Sequence, residues 1–262
     1  MKIQKFVIAI LVGIMIGFTC SKKQTVGHEV KTVSYEQPIE GTDMVLTLKC
    51  VYPLFEETSP FWHHVNETII DKMKASTFDE STHATFDDLW KTFTSEHKTA
   101  TEEFPDFVQP WALDRNAEIV FQNSEVLSIQ FNSYQNTGGA HPNSFMYYLN
   151  YDLKNRRELT LEDIIPLKNQ PALLQIAEKT FRQAQNIPDS SGLNEQGFFF
   201  EDNQFQLAKS FTIQKEGLLL YYNPYEIAPY AAGPIELLLP FDQLEDIINP
   251  QISFAFLTVK KG

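Results

Sequence analysis

A chain of 262 residues with 21 basic against 34 acidic side chains, a formal charge of −13 and only 2 cysteines already excludes several classes of protein. Its 43% hydrophobic and 13% aromatic content, with 21 Phe and 10 Tyr, excludes intrinsic disorder, and two cysteines exclude a disulfide-dense miniprotein. The acidic balance argues against general nucleic-acid binding, because phosphates would be repelled, and the length suits one large domain or two small ones.

The first predicted element is a targeting segment. Lys2 and Lys5 precede an unbroken apolar run from Phe6 to Phe18, 13 residues long, whereas a bilayer-spanning helix needs about 20. Gly17-Phe18-Thr19-Cys20 then gives way at once to polar Ser21-Lys22-Lys23-Gln24. A basic start, a short apolar stretch and a lone Cys resemble a bacterial lipoprotein signal peptide over residues 1–19, although Gly17 stands where the usual lipobox has a Leu-like residue. On this reading Cys20 is acylated and begins the mature protein. Each buried methylene contributes about 0.8 kcal/mol, so a multiply acylated Cys is a stable membrane anchor. Loss of Lys2 and Lys5 leaves 19 basic against 34 acidic residues, a charge of −15. Cys50 is then the other thiol; it sits in an alternating run and reads as a buried, inert Cys.

Residues 20–27 form a polar tether. His28–Glu36 and Thr42–Tyr52 read as a hairpin turning at Glu40–Asp43, with Met44, Leu46, Leu48 and Cys50 on its buried face. Ser59-Pro60 opens a helix with Ser as N-cap and Pro at the first helical position, its stripe being Phe61, Val65, Ile69 and Met73, widened by Trp62 and Ile70. A second helix begins near Thr85, with Phe86, Leu89, Trp90 and Phe93 on one face and Asp87-Asp88 in its first turn. Pro105 and Pro110 end that region, so the spacing predicts an N-terminal α+β subdomain over 28–104 and a C-terminal α+β domain over 105–262.

Beyond the boundary, Ala117–Phe121, Glu125–Tyr134 and Ser144–Tyr151 read as strands. Leu159–Ile165 is a short turn or helix, and Pro171–Gln185 is a helix carrying Leu173, Leu174, Ile176, Ala177 and Phe181. A hairpin over Phe211–Gln214 and Gly217–Tyr222, a strand over Ile235–Leu239, a short helix over Phe241–Ile248 and a last strand or tail over Ile252–Val259 complete the chain. Grouped strands with a few helices predict an α+β fold of antiparallel sheets in two subdomains.

Three stretches carry a family resemblance. They are Ser133-Tyr134-Gln135-Asn136-Thr137-Gly138-Gly139-Ala140-His141-Pro142 with Tyr151-Asp152-Leu153; Leu159-Thr160-Leu161-Glu162-Asp163-Ile164; and Phe211-Thr212 through Gly217-Leu218 into Asn223-Pro224-Tyr225-Glu226-Ile227-Ala228-Pro229-Tyr230-Ala231-Ala232-Gly233. Together they resemble the extracellular C-terminal domain family of the lysozyme-sensing anti-sigma factor RsiV and of the peptidoglycan deacetylase PdaC. Tyr52-Pro53 followed by Asn66 is similar to the smaller domain that precedes it there. The lipoprotein-like start stands where RsiV has its sigma-binding segment and membrane span, and the quoted stretches include no deacetylase domain. The resemblance therefore implies neither sigma-factor regulation nor deacetylation.

The same motifs read physically as corners of a fold: Gly138-Gly139 suit a tight turn, and Pro224, Pro229 and Gly233 shape an irregular crossing. They also offer a recognition surface, with Tyr134, Asn136, Gly138, Gly139, His141, Tyr225, Glu226 and Tyr230 as candidate ligand-binding residues. Nucleophile-elbow, Walker and zincin motifs are lacking from the sequence. His63 and His64 point about 100° apart on a helix, and His63 with Glu67 supplies at most two ligands where zinc takes three or four.

The expected protein is thus a non-enzymatic, lipid-anchored envelope protein exposed outside the cytoplasm. It would use no cofactor, metal or nucleic acid, and would bind peptidoglycan or a basic protein such as lysozyme, whose charge the acidic surface complements. Two alternatives stand beside it: an enzyme acting on envelope glycan, with His141 and a nearby carboxylate as acid and base, and a structural envelope lipoprotein.

Overall fold

The computed structural model describes residues 26–250, so the leader, Cys20 and the expected strand over 252–259 lie outside the described residues. The fold is α+β, with a six-stranded sheet in the order β1-β2-β3-β4-β5-β6 and a three-stranded sheet β7-β8-β9. The described residues divide into two compact units, one of residues 26–117 with Ser133–Asn143, the other of Glu118–Asn132 with residues 144–250. No helix among the described residues is long and apolar enough to cross a membrane.

In the first unit, β1 (His28–Pro38) and β2 (Val45–Phe55) pair antiparallel from His28↔Phe55 to Pro38↔Val45. That register leaves 39–44 as the loop, longer than the expected turn at 40–43, and β2 starts and ends three residues later than the alternation suggests. Leu46, Leu48 and Cys50 of β2 are buried as expected, and so is Tyr52, whereas Met44 is half-buried and precedes the strand. Against them pack α1 (Pro60–Lys74), burying Val65, Ile69 and Met73, and α2 (Phe86–Glu103), burying Leu89 and Phe93. Tyr35 of β1 stacks on Trp90 of α2 at 5.5 Å and its hydroxyl donates to Asp87 at 2.7 Å. The Thr85 side chain caps α2 by accepting from the Asp88 amide. Ser59 sits at the N-cap of α1 but its buried hydroxyl makes no cap bond.

β3 (Ala112–Gln122) enters earlier than its apolar pattern indicates and pairs parallel with β2, from Thr47↔Ala112 to Val51↔Asn116. This is an exception to the expected antiparallel pairing. β4 (Val126–Asn136) and β5 (Asn143–Asp152) follow, and β6 (Arg157–Glu158) covers only the Tyr151–Asp152 end of β5.

In the second unit, a capping box between Thr160 and Asp163 starts α3 (Leu161–Ile164). α4 (Gln170–Ala184) lays Leu173, Ala177 and Phe181 into a core shared with β7 (Ser210–Ile213), β8 (Gly217–Tyr222) and β9 (Ile235–Pro240). Every residue of β8 is buried, because Leu218, Leu220 and Tyr222 face the α4 core while Leu219 and Tyr221 pack on Tyr148 of β5. A strand covered on both sides has no polar alternation, which accounts for its GLLLYY run. The last helix, α5 (Phe241–Leu244), is shorter than expected.

Candidate functional site

The candidate residues fall into both units. Tyr134, Asn136, Gly138, Gly139 and His141 belong to the first, and Tyr225, Glu226 and Tyr230 to the second.

The first group closes the β4–β5 connection. Gly138 and Gly139 take φ of +84° and +102°, in the left-handed region that costs other residues a Cβ clash. The Asn136 side-chain oxygen accepts from the Gly138 amide at 3.4 Å. Gly138 approaches the indole nitrogen of Trp111, a Cβ there being 3.5 Å away, so the backbone conformation rather than crowding requires glycine. Behind it, Trp111 meets Phe93 at 5.7 Å and His97 edge-on at 5.2 Å, and His97 Nε2 donates to the Gln109 carbonyl at 3.0 Å. His141 is exposed and its Nδ1–H donates to the neighbouring Pro142 carbonyl at 2.9 Å. Tyr134 is 38% exposed.

The second group is built on the segment after β8. Asn223 is buried, and its side chain pairs with both backbone groups of Met146: Oδ1 accepts from the amide at 2.7 Å and Nδ2 donates to the carbonyl at 2.9 Å. β6 does not extend to Met146, so this side chain replaces a missing strand partner there. A tight turn follows, closed by the Glu226 amide donating to the Asn223 carbonyl at 3.0 Å. Pro224 takes its second position and Tyr225 its third, at φ +68°. These are the signatures of a type II turn, whose third position normally demands glycine. One carboxylate oxygen of Glu226 accepts from the Asn223 amide at 2.8 Å, so Glu226 braces the turn. The Tyr225 ring is 55% exposed and lies 5.5 Å from the ring of Tyr230, which a short 3-10 turn over Tyr230–Ala232 presents beside it.

Other groups with chemical potential are occupied structurally. Burial pushes the Cys50 thiol up to about 12, so it stays protonated and unreactive near neutrality. His63 lies between two carboxylates, Nδ1 at 3.1 Å from Glu57 and Nε2 at 3.2 Å from Glu67, which engages both ring nitrogens. The hydrogen bond to Glu57, then the charges of Glu67 and Glu57, hold its pKa above the ordinary histidine value. Among the described residues no group of three or more His, Cys, Asp or Glu is placed to hold a metal ion. Sequence reasoning quoted Asn223 within its motif but missed its role. It also missed Trp111, because the apolar pattern starts the strand at Ala117 whereas β3 begins at Ala112, directly after the indole.

Comparison with known proteins agrees with the fold. The family model described as Deacetylase PdaC matches residues 39–144, and that described as Protein of unknown function (DUF3298) matches residues 162–242. The peptidoglycan-N-acetylmuramic acid deacetylase PdaC of Bacillus subtilis is 25% identical over 239 residues, covering 88% of this chain and 46% of that protein. The immunogenic protein MPT64 of Mycobacterium tuberculosis is 23% identical over 122 residues, covering 44% of this chain and 49% of that protein. The chain thus spans a little under half the length of these curated relatives. A DUF3298 family crystal structure from Bacteroides fragilis superposes with a TM-score of 0.68 at 21% identity, over 91% of this chain and 100% of that one. Another from Pseudomonas aeruginosa gives 0.64 at 20%, over 87% and 96%. With two successive family matches and the same α+β architecture, the chain resembles the two-domain PdaC/DUF3298-like proteins.

Proposed function

We propose that this chain is a cell-envelope protein, held to a membrane by an acylated Cys20, that binds cell-wall glycan through the Tyr225–Tyr230 face and does not cleave it. One observation carries the binding reading. A bulky Tyr occupies the glycine position of a tight turn, with its ring outside the core and paired with a second ring. Left-handed backbone costs a residue with a Cβ about 1–2 kcal/mol, and such strain concentrates at binding sites. Two adjacent tyrosines offer flat apolar faces for the C–H face of a sugar and hydroxyls for its rim. Peptidoglycan is the substrate that the name of the PdaC relative carries. The non-catalytic reading is supported by Glu226, whose carboxylate is committed to the turn, and by His141, whose Nδ1–H is committed to the Pro142 carbonyl.

Co-sedimentation of the protein with purified peptidoglycan tests this, comparing wild type with Tyr225→Ala and Tyr230→Ala. Retention by wild type and loss in both variants is the expected result; equal retention by all three overturns the site. Release of acetate or of new reducing ends from that peptidoglycan overturns the non-catalytic half. Detergent-phase partitioning of Cys20→Ser against wild type, expressed from the full chain, tests the anchor. A second reading, capture of a basic protein such as lysozyme, is favoured by the charge of −13.

A further inference from the structure

The six-stranded sheet has two outer strands with a long edge: β1 at one end, and β5 along the part that the short β6 leaves uncovered. An open strand edge is a template for pairing with another chain, and its usual protections include charged side chains and proline. β1 carries both, with Glu29, Lys31, Glu36 and Pro38, and Lys31 Nζ lies 2.6 Å from Glu29. β5 lacks them over most of its length. Its stretch Ser144–Tyr151, SFMYYLNY, holds no charged residue, proline or glycine and is rich in aromatics. That composition favours strand-to-strand association between chains.

Side chains of the second unit occupy the β5 edge instead. The Asn150 carbonyl accepts from the Leu159 amide at 2.7 Å, on the β6 side. Main-chain groups alternate sides along a strand, so those of Met146 and Tyr148 turn the same way. Asn223 takes both groups of Met146, at 2.7 and 2.9 Å, and the Ser210 hydroxyl oxygen accepts from the Tyr148 amide at 3.1 Å. Ser210 opens β7 and Asn223 follows β8, and they are 8% and 7% exposed. A side chain satisfies these groups without presenting a new ladder for another strand to join. The start of β5, Asn143–Phe145, is exposed.

We propose that Asn223 and Ser210 guard the β5 edge against strand addition, and that the partner fitting an unguarded edge is the β5 of a second copy of this chain. A second strand reaches the edge once the turn after β8 moves off Met146, and the two bonds of Asn223 tie it there. Pairing of β5 with β5 across a two-fold axis uses the same surface on both chains. It closes at two copies, because the remaining edge, β1, is protected by charge. The inference is independent of glycan binding.

Size-exclusion chromatography with light scattering on the full chain in mild detergent tests it, with circular dichroism confirming that each variant is folded. Wild type should be monomeric at every concentration, whereas the Asn223→Ala, Ser210→Ala double variant should show a mass that doubles as concentration rises. Adding Phe145→Lys at the exposed start of β5 should return the double variant to the monomer, since it supplies the kind of charge that protects β1. Asn66→Ala removes a comparable clamp from β2, which lies inside the sheet between β1 and β3, and should lose stability yet stay monomeric. A dimeric wild type, a folded double variant that stays monomeric, equal association by Asn66→Ala, or association that survives Phe145→Lys each overturns the guard. Where the double variant does not fold, Ser210→Ala alone, which frees only the Tyr148 amide, takes its place: concentration-dependent association supports the guard and a monomer overturns it.

Discussion

Tyr225 occupies a backbone position that steric reasoning gives to glycine, and this separates its proposed contribution to binding from its contribution to stability. Tyr225→Gly removes the Cβ that makes φ of +68° costly, whereas Tyr225→Ala keeps it. In urea denaturation the Gly variant should be more stable than the Ala variant by about 1 kcal/mol, and both should lose peptidoglycan binding. The sequence made this turn legible through Asn223-Pro224, which marks a corner. It did not reveal the conformation of Tyr225, because the usual signal of positive φ is Gly or Asn at that place. A second residue-scale case is Asp163. The hydrogen bond from Arg157 at 2.7 Å, with further bonds from Thr160, lowers its pKa to about 2. A depressed carboxylate pKa gives stability that is complete above the ordinary carboxyl range and lost as pH falls from about 4 toward 2. Asp163→Asn should therefore melt below wild type at pH 7, with the gap narrowing across that acid window, as thermal melts at successive pH values would show.

Both units solve one problem of strand ends with the same device. At the end of β2, beyond its pairing with β3, Asn66 of α1 binds Phe55 by accepting from its amide at 2.9 Å and donating to its carbonyl at 2.8 Å. In the second unit Asn223 does this to Met146 of β5. A primary amide carries a donor and an acceptor side by side, as a strand backbone does, and so continues the ladder where no strand is present. Leaving two buried backbone groups unpaired costs about 2–4 kcal/mol. Asn66→Ala should lose that much in denaturant titration, and Asn223→Ala less, because its bonds to Met146 are only part-buried. Asn→Asp should be as damaging at neutral pH, because a carboxylate cannot donate to the carbonyl. At this scale the helices were the legible part, since Val65-Ile69-Met73 and Leu173-Ala177-Phe181 keep helical spacing. The start of β3 was not. Its inward side includes Arg115, a buried cation that breaks the hydropathy pattern while donating to the carbonyls of Met73 and Ala75 at 2.7 and 2.6 Å, just where α1 ends. A residue that looks like surface in the sequence is there a bridge between elements distant along the chain.

For the molecule as a whole, the excess of acid gives the two proposed classes of ligand different dependences on salt. A net charge of −13 produces a field that accelerates encounter with a cationic protein and is screened by salt, with a Debye length of about 10 Å at 0.1 M shrinking to about 3 Å at 1 M. Stacking of uncharged sugar on Tyr225 and Tyr230 involves no ion pair, and apolar burial is not weakened by screening. The charge, readable from composition alone, therefore gives no access to the proposed binding face, whose rings Tyr225 and Tyr230 are set 5.5 Å apart by the segment after β8. Titrations with peptidoglycan fragments and with lysozyme between 50 mM and 500 mM NaCl separate the two modes. The glycan affinity should change by less than about twofold over that range. Association with a basic protein held by the acidic field should fall by about tenfold or more, mostly through a slower on-rate. A glycan affinity that collapses with salt would instead place charged groups, not the tyrosine face, at the centre of recognition.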